Sequence, residues 1–201
     1  MLSSLWDAPV VLLGANLGEV VFTVAATAVS GRAPLSARQL LTVNLLTDVA
    51  PALAIALRPP PTRTAESLLA EGPDQSLGRP LERAIAVRAA TTAAGAGMAW
   101  SAARLTGGHR RASTIALVAL VGSQLGQTVT SGRPDPVVLL AGGASAVILG
   151  VIVQTPGLSH FFGCTPLGPL GWGIATCSAT LATASSLAAD RLLAPRKQHE
   201  P

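Results

Sequence analysis

Residues Gln39 to Pro60 read QLLTVNLLTDVAPALAIALRPP, an apolar stretch of membrane length with Asn44, Thr47, Asp48 and Pro51 near its centre. A carboxylate in the middle of a bilayer span costs about 2.5–3.5 kcal/mol on insertion scales, so Asp48 predicts a task. Asn44, Thr47 and Asp48 stand at i, i+3 and i+4 and share one helical face, which is rich in oxygen. Pro51 lacks an N–H, so the Thr47 carbonyl four residues earlier loses its helical partner, and a helix broken at this point is expected. Freed carbonyls beside a carboxylate suit a hard cation bound at mid-membrane. The blander alternative is a kinked helix whose polar groups only bond to neighbouring helices.

Composition points the same way. The chain has 201 residues, 49% hydrophobic and only 12% charged, with a mean hydropathy of +0.50; a soluble domain carries about 25% charged residues. The fold class expected is all-α, a polytopic membrane bundle of six transmembrane helices. The formal charge is +4, but the basic residues are spread among loops without interleaved aromatics, which argues against nucleic acid as a partner. Cys164 and Cys177 make neither a disulfide framework nor a metal site, and read as small apolar fillers. His109, His160 and His199 are too scattered to hold a metal. Trp6, Trp100 and Trp172 read as interfacial anchors near helix ends. Met1 to Asp7 has no basic residue and no cleavage site follows, so a removable signal peptide is not expected.

Working outward, the first span is expected at Pro9–Val29, with Glu19 at its midpoint and Asn16 one turn earlier on the same face. The link Ser30 to Arg38 is short, so the two helices should return as an antiparallel hairpin with Glu19 facing Asp48. Two facing carboxylates repel unless a cation or a shared proton lies between them. The remaining spans are expected at Ala84–Leu105, Ser113–Thr130, Pro136–Gln154 and Leu167–Ala189, the fourth carrying Gln124 and Gln127. The predicted organisation is an ion-site hairpin at 1–58, a cytoplasmic loop at 59–83, a four-helix support bundle at 84–190 and a cytoplasmic tail at 191–201. Six spans put both termini on one side. That side would hold nine basic residues (Arg58, Arg63, Arg79, Arg83, Arg88, Arg133, Arg191, Arg196 and Lys197) against five (Arg32, Arg38, Arg104, Arg110 and Arg111). The positive-inside rule then predicts a multi-pass protein of the cell membrane with cytoplasmic termini.

The pair NLGEVVFTVAATAVSGRAPLSARQLLTVNLLTDVAPALAIALRPP resembles the fifth and sixth membrane helices of cation-transporting P-type ATPases, in the branch that includes calcium pumps. The likeness continues weakly to the end of the chain. The run Gly122 to Gln127 (GSQLGQ) resembles the family's eighth helix, and Phe161 to Leu167 (FFGCTPL), followed by Trp172, resembles the loop between its ninth and tenth helices. The resemblance implies that ion-binding oxygens fall at Asn16, Glu19, Asn44, Thr47 and Asp48. It implies a further ligand at Gln124, where those pumps carry an acid, with Gln127 one turn on. The implied cargo is a divalent cation of the Ca²⁺, Mg²⁺ or Mn²⁺ kind, and no cofactor is expected in the chain itself.

Such pumps phosphorylate an Asp in an Asp-Lys-Thr-Gly motif, but the sole lysine here is Lys197, preceded by Arg196. A Gly-Lys-Ser/Thr nucleotide loop is excluded on the same ground. The chain is therefore not an ATPase by itself. The leading expectation is the C-terminal membrane portion of a pump, whose partners are the lipid bilayer and an N-terminal half bearing the ATP-binding and phosphorylation domains. A non-catalytic remnant, and a stand-alone module acting as a passive cation pathway or pump-regulating subunit, are the other readings.

Overall fold

In a computed structural model, which describes residues 3–56, 79–130 and 136–193, the secondary structure is entirely helical. Its elements are α1 (Ser3–Ser30), α2 (Ala37–Ala56), α3 (Arg79–Thr106), α4 (His109–Thr130), α5 (Pro136–Gln154), the short α6 (Pro156–Phe161) and α7 (Pro169–Leu193). The all-α bundle expected from composition is what forms.

Local chemistry sets the boundaries. Gly31 takes the left-handed conformation at φ 69°, and its N–H donates to the Thr27 carbonyl at 2.8 Å, closing α1. Helix α2 opens on a capping box: the Ser36 N–H donates to Gln39 Oε1 at 2.8 Å and the Gln39 N–H to Ser36 Oγ at 3.3 Å. Glu82 in the first turn of α3 and Arg104 in its last complement the helix dipole. Gly107 and Gly108 alone separate α3 from α4. Pro156 and Pro169 begin α6 and α7 with the pre-set φ that a first turn accepts.

Helix α4 is the centre of the bundle. Every residue from Ala112 to Val121 is buried on it, together with Ser123, Gln124 and Gln127, so it is enclosed on all sides. It packs chiefly against α3 and α7, and less extensively against α2 and α5. Helix α1 lies along α3, and α2 lies along α5. The expected tight α1–α2 hairpin is not a packed pair, because each helix finds a better partner elsewhere and the two touch only sparingly.

Four sequence expectations are corrected. Helix α2 runs through Pro51 without interruption, so the proline removes one hydrogen bond without ending the helix. Helix α3 starts at Arg79, which makes the last five residues of the expected 59–83 loop helical. Arg88, counted as a loop charge, is buried inside the bundle, its stem against Gly14. Trp100 is buried rather than interfacial. Helix α6 was not anticipated. Residues 57–78, Arg133 and the tail beyond Leu193 lie outside the described residues.

Among the described residues, three stretches are long and apolar enough to cross a membrane: Leu12–Ser30 within α1, His109–Thr130 and Pro136–Gln154. Helices α3 and α7, at 28 and 25 residues, have ample length for a span at about 1.5 Å per residue. Their small residues serve packing instead. A side chain at Gly18 would meet the Ala89 carbonyl oxygen at 2.9 Å and Thr92 Cβ at 2.8 Å, and one at Gly95 would meet Ala182 Cβ at 2.6 Å. Gly95→Ala and Gly18→Ala should each destabilise the bundle by about 1–3 kcal/mol. Gly97→Ala, where nothing lies within 4 Å, should be neutral or slightly stabilising. Thermal unfolding of the three variants in one detergent checks this ordering.

Candidate cation site

Glu19 belongs to the buried face of α1, the stripe Gly14, Ala15, Gly18, Glu19, Phe22 and Ala26. The periodicity that docks α1 onto its neighbours therefore carries a carboxylate inward, leaving it 7% exposed. On α2, Val43, Leu46 and Thr47 are buried and Asp48 is half-buried. The Thr47 hydroxyl donates to the Val43 carbonyl at 2.9 Å, which leaves its oxygen lone pairs available as acceptors. The Glu19 and Asp48 carboxyls, one from each of two helices that scarcely pack together, lie within electrostatic reach of each other. Among the described residues neither is matched with a basic side chain.

Gln124 approaches the same place from α4. It is 2% exposed, and its Nε2 donates to the Ala15 carbonyl, one turn before Glu19, at 3.4 Å. Its Oε1 is buried without a hydrogen-bond partner. A buried amide oxygen left unpaired costs about 1–3 kcal/mol, so this atom is an acceptor in want of a donor or an ion.

Gln127, one turn further on, has a different surrounding. The Thr92 hydroxyl donates to its Oε1 at 3.3 Å and its Nε2 donates to Thr91 Oγ1 at 3.2 Å. These bonds tie α4 to α3, the role that polar side chains commonly take between membrane helices. Asn16 and Asn44 are exposed. They flank the two carboxylates on surfaces that α3, α4 and α5 do not cover.

Among the described residues no group of three or more His, Cys, Asp or Glu comes together. The oxygen donors that α1, α2 and α4 carry here, carboxylates, a hydroxyl and an amide, are of the kind that suits a hard cation rather than a soft one. Thr91 and Thr92 carry no signal in the sequence. The two threonines sit inside the Ala- and Gly-rich run AATTAAGAG, where their spacing from Gln127 on another helix leaves no local signal.

Comparison with known proteins shows the family. Residues 32–191 match the family described as "Cation transporting ATPase, C-terminus". A "Probable cation-transporting ATPase I" of Mycobacterium leprae (strain TN) is 44% identical over 92% of this chain, which covers 13% of that protein. A protein of the same name from Mycobacterium tuberculosis (strain CDC 1551 / Oshkosh) is 45% identical over 92% of this chain, again covering 13% of the relative. The chain thus spans about an eighth of the length of the curated relatives it matches.

The two glutamines predict different responses to the same change. Gln127→Leu strands the Thr92 hydroxyl and removes a bond to Thr91, and should destabilise by about 1–3 kcal/mol. Gln124→Leu also deletes an unpaired buried oxygen, and should fall within about 1 kcal/mol of neutral. Unfolding midpoints of both variants in detergent separate a clamp from a vacant acceptor.

Proposed function

The chain belongs to the family of cation-transporting ATPase C-termini, and on that premise we propose that it forms the part of a P-type pump's membrane domain that holds one side of the ion site. Glu19 and Asp48 supply the charge. Thr47, Asn16, Asn44 and the Oε1 of Gln124 add neutral oxygens, and Gln127 holds α4 in place behind them. The observation that carries this reading is that buried Glu19 on α1 lies within electrostatic reach of Asp48 on α2, with no basic side chain matched to either among the described residues. In a low dielectric that arrangement is unfavourable until a cation or a proton enters.

The six long helices support a six-span, multi-pass arrangement with both ends of the chain on the cytoplasmic side. The exposed surface beside the site supports a missing neighbour. Asn16 and Asn44 lie among exposed Leu13, Leu17, Val20, Leu41 and Leu45, and an amide facing lipid in the middle of a span is unfavourable. A helix from the N-terminal half of the pump would cover both amides and bring the remaining ligands. The ATP-binding and phosphorylation domains would lie in that half, so this chain binds cargo and does not itself hydrolyse ATP. The cargo fits a divalent ion such as Ca²⁺, Mg²⁺ or Mn²⁺, which oxygen ligands prefer.

Two measurements test the proposal. Isothermal titration of the detergent-purified chain with Ca²⁺, Mn²⁺ and Mg²⁺ should detect binding of at least one ion. Asp48→Asn and Glu19→Gln should each weaken it by about tenfold or more, as expected when a charge-assisted ligand is lost. Unchanged affinity in both variants would remove the site. Secondly, the DNA preceding the Met1 codon should encode the pump's phosphorylation domain, in frame or in an adjacent frame; an unrelated intact gene there would count against a pump half.

A further inference from the structure

One end of the bundle is charged in a single sense. It gathers the α1–α2 link, the α3–α4 turn and the α5–α7 connection, tied together by Arg38 donating to the Phe161 carbonyl at 2.7 Å and by the Thr165 N–H donating to Thr114 Oγ1 at 3.0 Å. Residues 27–40, 101–113 and 151–172 hold Arg32, Arg38, Arg104, Arg110 and Arg111, with His109 and His160, and contain no Asp or Glu. No carboxylate is therefore available there to neutralise the guanidinium groups.

Two of these arginines are already engaged. Arg38 caps Phe161, with its guanidinium also 5.0 Å from that ring, and Arg111 donates to the Thr106 carbonyl at 2.8 Å. Arg32 and Arg104 instead line a cavity of about 500 Å³ together with Ser30, Gly107 and His109. Arg104 is held in position, its guanidinium 4.7 Å from the ring of buried Trp100. Stacking of this kind leaves the edge N–H donors of an arginine available for an anion.

The cavity's height in the bundle suggests what fills it. Val29 and Leu105, adjacent to lining residues Ser30 and Arg104, are 81% and 89% exposed. Apolar surface therefore runs up to the rim, and the arginines begin where it stops, which is where a bilayer places its phosphates.

We infer that the Arg32–Arg104–His109 cavity binds a phosphate group, and that an anionic phospholipid of the adjoining leaflet presents it. Two guanidinium forks and an imidazole match phosphate oxygens, while the Ser30 hydroxyl, which donates to the Ala26 carbonyl at 2.7 Å, only shapes the wall. This site is remote from the carboxylates in mid-span and takes an anion, so it stands or falls independently of the cation site.

The test uses the purified chain in nanodiscs of phosphatidylcholine alone, or with phosphatidylglycerol added, followed by native mass spectrometry of the released protein. The wild type should retain phosphatidylglycerol, and the Arg32→Gln/Arg104→Gln variant should retain about tenfold less, as for loss of charge-assisted bonds. Arg104→Lys should retain an intermediate amount, and Arg191→Gln, at the opposite end of the bundle, the wild-type amount. In a parallel arm inorganic phosphate is titrated into detergent-solubilised protein while unfolding temperature is followed. Stabilisation by free phosphate, lost in the double variant, keeps the phosphate site but assigns it a soluble occupant if no lipid is retained. Equal lipid retention by wild type and double variant, with no stabilisation by phosphate, overturns the inference. Unfolding temperatures in phosphatidylcholine alone show whether the variants fold.

Discussion

A polar group buried between membrane helices must find its partner within the protein, because the surrounding lipid offers none. Among the described residues many hydroxyls obey that constraint locally. Thr27, Thr42, Thr47, Thr114, Thr128 and Thr183 each donate to the carbonyl four residues earlier, which satisfies the hydroxyl without asking anything of a neighbouring helix. The longer side chains reach across instead: Gln127 to Thr91 and Thr92, Gln154 to both the N–H and the carbonyl of Leu167, and Gln39 to the Gly163 carbonyl. Against that background the exceptions stand out. Among the described residues the buried Oε1 of Gln124, Oγ1 of Thr23 and Nε1 of Trp100 find no partner, and the Glu19 carboxyl lies within electrostatic reach of Asp48.

Helices α1 and α2 do not close on each other as a packed hairpin. Instead α1 is fastened to α3 through the close approach at Gly14 and Gly18, and α2 is fastened to α5 and to the 155–168 connection. Gln39 serves twice here, capping its own helix through Ser36 and bonding to Gly163. Each acidic helix is thus anchored to a different part of the bundle around α4, and the two make little contact with each other.

Much of this was legible in the sequence, for reasons that are physical and local. Length and hydropathy located the long helices because a span must be both continuous and apolar, and α5 has the residues expected of it. Helical periodicity placed Asn16 with Glu19, and Asn44 with Thr47 and Asp48. It could not tell which members of each group turn inward, since that depends on where α3 and α5 dock; Asn16 and Asn44 ended outside. Arg88 was misjudged because a charge near a span's end reads as a loop residue unless the close approach at Gly14 is known. The length of α6 is below what periodicity can register. Trp100 reads as an anchor from sequence because its burial depends on how the neighbours of α3 dock.

Coordination number carries the argument one step further. A calcium-like ion takes six to eight oxygens and a magnesium-like ion six, whereas Glu19, Asp48, Thr47 and Gln124 offer fewer from within the bundle. Gln124 is neutral, so among the described residues the acidic charge offered to an ion is that of Glu19 and Asp48. Two negative charges match one divalent cation, and a third would have left the loaded site anionic in a medium that penalises any net charge. On the proposed reading, the neutral amide at Gln124 sets the loaded site to zero net charge. The exposed Asn16 and Asn44 then leave the missing oxygens to be supplied by the helix that covers them, so that the affinity of the site depends on how that helix moves.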